Sequence, residues 1–213
     1  MSAGYKMARL WVLILTFVLV GCAARPDHTL DREQELAVAP FDQPRENWEL
    51  LAGSPVLGSD LPGEVLQNLD RILQDKLRAR NWKVYAGPEQ VKKCVREVSQ
   101  RKDRSRLSGL QYWTLVGQCL EVDLLLVPHM LQWRERQGGP WGVQEPAMVH
   151  FDLFLVDVQN KKLVHRYKFH QQQQALSENL LEIRRFFQRG GRWITAEQLA
   201  EEGLQDGLQE LQL

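Results

Sequence analysis

The sequence predicts an α/β (α+β) fold, a mixed sheet of about five strands with a three-strand antiparallel meander, flanked by helices. Three observations carry this prediction. The run Val122-Asp123-Leu124-Leu125-Leu126-Val127 is almost continuously apolar, as a strand buried on both faces requires. Residues 148–158 alternate instead, with Val149, Phe151, Leu153 and Leu155 sharing one face. The stretches 65–77 and 196–211 repeat their apolar residues at helical spacing.

In chain order, Glu35-Leu36-Ala37-Val38-Ala39-Pro40-Phe41 is a short apolar strand closed by a proline. A long connection follows over 42–60, with Trp48 inside it as either a binding residue or a pin to the core. Ser59 or Asp60 can cap the next helix and Pro62 suits its first turn. Val65, Leu66, Leu69, Ile72, Leu73 and Leu77 keep its period, and Asn81 can end it. Residues 82–86 form a brief strand. Gly87-Pro88-Glu89 opens a second helix to about Ser99, and a third covers 107–118. The central strand lies within 121–136, and Gly138-Gly139-Pro140-Trp141-Gly142 is a loop.

Strand 148–158 turns back at 157–162 into a strand from Leu163 to about Gln172. Placing Val158 opposite Lys162 sets Phe151 against Phe169, Leu153 against Tyr167 and Leu155 against His165, which keeps the aromatic residues on the core face. Residues 177–188 form a helix that Gly190-Gly191 breaks. Thr195 with Gln198 resembles a capping box for the last helix. Gly203 and Gly207 lie on its apolar face, where close approach to the sheet is their use. Its other face carries Glu197, Glu201, Glu202, Asp206 and Glu210.

The first 21 residues differ in kind. Lys6 and Arg9 precede an apolar run of eleven residues, Leu10 to Val20, against the roughly 20 that a spanning helix needs. A basic start and short apolar core describe a secretory signal. Leu19-Val20-Gly21-Cys22 resembles the lipobox of bacterial lipoproteins. The resemblance implies cleavage before Cys22, a diacylglycerol on its thiol and an acyl chain on its amine, and no other cofactor. Ala23 in place of Asp implies the periplasmic face of the outer membrane rather than the inner membrane. The expected organisation is a signal peptide at 1–21, a lipid-anchored tether at 22–34 and a single α/β domain at 35–213. The tether reaches at most about 45 Å.

Totals of 27 basic and 27 acidic residues give no bulk attraction to nucleic acid, and none is expected as a partner. Cys94 and Cys119 either form a disulfide, which an extracytoplasmic space permits, or pack as two buried thiols. Arg101, Lys102 and Arg104 lie in a basic stretch that reads either as a solvated helix end or as a surface for phosphate headgroups or an acidic partner. Trp48, Trp133 and Trp141 complete the candidate partner surface, and Trp193 is a weaker candidate beside a helix start.

His150 and Asp152 share a strand face, and His170 can lie opposite. Two imidazoles and a carboxylate make a weak candidate metal set, set against a polar outer face of the hairpin. No HExxH, CxxC, phosphate loop or G-x-S-x-G motif occurs.

Leu36-Ala37-Val38-Ala39-Pro40-Phe41 and Leu155-Val156-Asp157-Val158-Gln159-Asn160-Lys161-Lys162-Leu163-Val164 bracket a layout of strand, helix, strand, helices, meander, helices. Both stretches resemble the α/β domain shared by the curli-secretion lipoprotein, the N-terminal domain of the Tol–Pal propeller protein and lipoprotein activators of penicillin-binding proteins. Asn160-Lys161 stands where that family usually has Thr-Gly. The resemblance implies envelope assembly, secretion or partner docking, and no catalytic residue. The expectation is a lipid-anchored, non-catalytic docking module with an envelope protein or a further copy of itself as partner. The alternatives are a periplasmic metal-dependent enzyme using His150, Asp152 and His170, and a carrier of lipid or a small ligand.

Overall fold

A computed structural model describes residues 30–53, 61–173 and 190–213. Cys22, the 1–21 segment, the Ser59 and Asp60 caps and the expected 177–188 helix lie outside the described residues. The elements are β1 (Leu36–Val38), α1 (Gly63–Ala79), β2 (Val84–Ala86), α2 (Pro88–Ser99), α3 (Gly109–Leu120), β3 (Leu124–Arg134), β4 (Gln137–Gly139), β5 (Gly142–Glu145), β6 (Met148–Asp157), β7 (Lys162–Gln172) and α4 (Ala196–Glu210), with a 3-10 turn at Arg104–Arg106.

Five strands form one mixed sheet in the order β2-β1-β3-β6-β7. β1 runs parallel to both β2 and β3, and β3, β6 and β7 form the antiparallel meander. One face packs on α1 and α4. There Leu36, Leu124, Leu126, Phe151 and Leu153 meet Leu69, Leu73 and Leu77 of α1 and Leu199, Leu204 and Leu208 of α4. The other face packs on α2 and α3, where Leu125, Val127, Phe154 and Val156 meet Val91, Cys94, Tyr112, Trp113 and Val116. Burial on both faces explains why β3 reads as an unbroken apolar run.

Pro128 lies inside this central strand, a position that normally costs a ladder hydrogen bond. Leu124 N donates to Glu35 O, and Met130 N donates to Asp42 O, so the even-numbered amides of β3 point toward β1. β1 has ended by Pro128, because its last partner pair is Val38 with Leu126. The missing N–H therefore falls in the gap between β1 and Asp42, and the β3–β6 ladder loses nothing.

The β6–β7 register pairs Phe151 with Phe169, Leu153 with Tyr167 and Leu155 with His165. The turn itself differs from expectation. Asp157, not Val158, opposes Lys162, because a bulge between Leu155 and Val156 shifts the register by one. Asp157 closes this turn by accepting from Asn160 N and Nδ2, both at 2.8 Å. Pro62 occupies the cap position of α1 rather than its first turn, with no side-chain cap bond. The stretch expected as a plain loop at 138–142 forms a two-stranded ribbon, β4–β5. Gly138 sits at φ +111, and a Cβ there would lie 2.7 Å from Gly142 O, so only glycine fits this strand.

Asp123 ties one end of the sheet together. Its Oδ2 accepts from Glu35 N at 3.0 Å and its Oδ1 from Gln159 Nε2 at 2.6 Å. Its carbonyl accepts from Val158 N at 2.9 Å. The chain thus enters the fold beside the C-terminus of α3 and the β6–β7 turn. The β4–β5 ribbon leaves from the far end of β3, about 36 Å away at some 3.3 Å per residue.

α4 approaches the sheet closely. A Cβ on Gly203 would meet the Phe169 ring at 2.7 Å, and one on Gly207 would meet Tyr167 at 2.6 Å. The Arg80 guanidinium donates to Gln205 O at 2.9 Å and Leu213 O at 2.8 Å, which satisfies carbonyls at the C-terminal end of α4. We predict that Gly203→Ala lowers stability by about 1–2 kcal/mol in urea unfolding, because overpacking against Phe169 outweighs the gain in helix propensity.

Cys94 and Cys119 are joined by a disulfide, with Cα atoms 5.8 Å apart. It links α2 to α3 within one layer, so the bridge secures two helices that share a face of the sheet. Replacing both cysteines by alanine is predicted to cost about 3 kcal/mol under oxidising conditions, read as a lower urea midpoint.

Candidate functional site

His150 and His170 are register partners on β6 and β7, and their rings stack with centroids 4.5 Å apart. Asp152 is on the same face, fully buried. Its Oδ2 accepts from Arg166 Nε at 3.2 Å and Nη2 at 2.7 Å, and that guanidinium lies 5.4 Å over the Phe154 ring. His150 Nε2 stands 3.9 Å from Asp152 Oδ1. Burial, together with the charges of His170, Lys168 and Arg166, lowers the His150 pKa against the opposing pull of Asp152. The imidazole is therefore held toward its neutral form.

On this face His170, Lys168 and Arg166 are exposed, whereas Asp152 is buried and His150 is largely covered. Asp152 Oδ2 is engaged by Arg166, which competes with any cation for it, while Oδ1 has no hydrogen-bond partner. Among the described residues no group of three or more His, Cys, Asp or Glu side chains is placed to hold a metal ion.

Two polar contacts beyond the expected set lie on or beside the same sheet. His129 is buried in the apolar run of β3, pairs with Asp152 across the strands, and bonds through Nδ1 to Asp42 Oδ1 at 2.9 Å. Asp70 lies on the buried face of α1 beside Leu69 and Leu73, and its Oδ1 accepts from Phe41 N at 2.7 Å. The signal for each was a polar residue at an apolar position, His129 within a buried strand and Asp70 four residues after Leu66. Each secures the segment that follows β1. This contact replaces the ladder that β1 no longer supplies.

The four tryptophans separate. Trp48 packs edge-on against Tyr112 at 4.8 Å, and Trp113 Nε1 donates to Glu49 O at 2.7 Å, so Trp48 pins its loop to the α3 layer. Trp133 packs against the α1–α4 core. Both are partly buried. Trp193 is half-buried, and its backbone is locked, with its N–H donating to Pro140 O at 2.8 Å and its carbonyl accepting from Arg136 Nη1 at 2.8 Å. Trp141 alone among them projects, at 72% exposure, from the tip of the β4–β5 ribbon. Arg192 stacks over its ring at 4.9 Å. The tip is therefore an aromatic side chain fixed by a cation and braced by the Pro140–Trp193 bond.

The basic stretch is exposed as a whole. Arg101 pairs with Asp103 through Nε and Nη2, both at 3.1 Å, while Lys102 and Arg104 face solvent beside them.

Burial pushes the Asp70 carboxyl up from 3.8 to about 6, against the Phe41 N–H bond and the charge of Lys92; Asp42 and Glu89 add to the rise. The native state therefore binds this proton more tightly than the unfolded chain does. That contribution is complete below 3.8 and is lost as pH rises through about 6. Asp70→Asn, which keeps an acceptor for Phe41, is predicted to be more stable than the wild type at pH 7.5 by roughly 1–3 kcal/mol. The advantage should vanish near pH 4, measured by urea unfolding at both values.

No protein-family model matches the chain, and no curated protein sequence matches it. Solved structures with a similar course of the chain include the PelC dodecamer from Paraburkholderia phytofirmans, at 16% identity and TM-score 0.48, over 86% of this chain and 90% of that one. The LpoB C-terminal domain from Salmonella enterica matches at 14% identity and TM-score 0.39, over 69% and 87%. Lipoprotein GNA1162 from Neisseria meningitidis matches at 9% identity and TM-score 0.39, over 74% and 98%. At these identities no residue of those proteins carries a role onto this chain.

Proposed function

We propose that this chain is a lipid-anchored, non-catalytic accessory of the bacterial cell envelope that docks a protein partner through the tip of the β4–β5 ribbon. The observation that carries the reading is Trp141. Large aromatic side chains on a surface usually find cover, and Trp with Arg is the pairing most enriched at interface hot spots. Here both are held before any partner arrives, which lowers the ordering cost of docking.

Position supports the same reading. The Cys22 lipobox would hold the Glu35 end of the sheet near its membrane, within the reach of residues 22–34. The ribbon leaves the opposite end and presents Trp141 away from that surface. The buried Asp152 carboxylate paired with Arg166, and the His150 ring stacked on His170, suit a structural polar layer rather than a reacting centre.

The test is cross-linking and recovery of the full-length lipoprotein from native membranes, with Trp141→Ala and Cys22→Ser in parallel. One dominant partner should be recovered with the wild type. Its yield should fall about tenfold with Trp141→Ala, the loss expected when a hot-spot aromatic is truncated. Cys22→Ser should release the protein from the membrane fraction. Equal partner recovery with Trp141→Ala would overturn the ribbon as the docking element. Metal-dependent hydrolysis by the purified protein that His150→Ala abolishes would overturn the non-catalytic reading.

A further inference from the structure

A second surface lies on the outer side of α3. A groove of about 340 Å³ runs along the helix from Arg101 at one end to Lys161 at the other. Its floor includes Leu107, Leu110 and Leu115, which pack only partly into the core, and Thr114. This volume falls within the range of single-ligand sites, roughly 300–1,000 Å³.

Three features make it more than a dent between side chains. Thr114 Oγ1 is buried without a hydrogen-bond partner, although a helical threonine ordinarily returns its hydroxyl to its own backbone. Lys161 holds φ +53, a left-handed conformation that glycine adopts freely and a lysine does not. The fold accepts that backbone cost and gains an ammonium group at the groove mouth, next to the Asp157-closed turn. Finally, the charge at the rim has one dominant sign. Arg101 and Lys161 are the charged residues of the groove lining, and Arg101 is paired with Asp103. An apolar floor with the Lys161 ammonium at its mouth is complementary to an apolar chain that carries a phosphate.

We propose that the α3 groove binds an anionic phospholipid, its acyl chain along Leu107, Leu110 and Leu115 and its phosphate at Lys161. The occupant is assigned to the bilayer because of where the groove lies. Lys161 and the C-terminus of α3 sit at the Glu35 end of the sheet, where the chain arrives from Cys22. This choice of source rests on the lipid-anchored reading above. In this arrangement the groove end rests on headgroups while the Trp141 ribbon points outward.

The test uses the full-length chain carrying Cys22→Ser and soluble probes, so that it does not depend on the anchor. Monomeric dihexanoyl phosphatidylglycerol, dihexanoyl phosphatidylcholine and glycerol phosphate are titrated separately, and amide resonances of the protein are followed. Phosphatidylglycerol should bind saturably, with shifts at Leu110, Thr114 and Leu115 and none at Ala200 on the opposite layer. Phosphatidylcholine should bind about fivefold more weakly, and glycerol phosphate should leave the α3 resonances unmoved.

Lys161→Gly removes the cation and relieves the left-handed backbone together. It should weaken phosphatidylglycerol about fivefold while Tm stays equal or rises, so its loss of binding would not reflect unfolding. Equal binding of the two lipids, equal binding of glycerol phosphate, or unchanged affinity in Lys161→Gly would overturn the proposal. Membrane release by Cys22→Ser in cell fractionation reports on the anchor alone, so failure of the groove and failure of the anchor are read separately.

Discussion

Strand β3 must satisfy two different neighbours along one length. It pairs parallel with β1 on one side and antiparallel with β6 on the other, and it is buried on both faces where helices cover it. Much of the remaining structure meets that demand. β1 is three residues long, so β3 outruns it, and the ladder on that side must be continued by other means. Asp42 supplies the continuation by bonding to His129 and accepting from Met130 N, and Asp70 fixes the intervening Phe41. Pro128 is tolerated because it falls in the gap that this arrangement leaves.

The two helical layers solve different packing problems. The α1–α4 layer is dry and close, with glycines at 203 and 207 giving room to Phe169 and Tyr167. The α2–α3 layer is held by the Cys94–Cys119 bridge and by Trp113, whose ring nitrogen ties the 42–53 loop down. Toward the far end of β6 that face turns polar. Asp152 is neutralised by Arg166, and His150 stacks on His170. This pair does little for net stability, because burying the carboxylate costs most of what its attraction to the exposed guanidinium gains. Removing Arg166 alone would strand a buried carboxylate, so the pair functions as a unit.

The proposed activities use the two ends of the sheet. At the Glu35 end, Asp123 gathers the incoming chain and the Val158–Gln159 turn, which sets Lys161 beside α3. At the other end, β3 outruns β1, stays paired with β6 to Arg134, and leads into a ribbon that Arg136, Trp193 and Pro140 brace. The antiparallel meander determines this polarity. β3 and β6 are long enough to separate the two ends by more than the width of a helical layer.

Periodicity by itself was enough to determine the mixed sheet, the four described helices and the pairing of Phe151 with Phe169, because a one-residue slip would have turned the aromatic residues out of the core. It was also enough for Gly203 and Gly207, whose helix cost needed a packing reason. The bulge after Leu155, the ribbon at 137–145 and the burial of Asp152 came only from tertiary structure. Each depends on what a distant segment places alongside, and alternation of polar and apolar residues cannot report that. His150 and Asp152 read as an outer face because polar residues on a strand usually meet water. Arg166, fourteen residues away, allows the carboxylate to be buried instead. The cysteines left two outcomes open in the sequence. The α2–α3 packing that brings their Cα atoms within 5.8 Å decided between them. Trp48, Trp133 and Trp141 were equivalent as letters. The surfaces that cover the first two and leave the third uncovered exist only once the chain has folded.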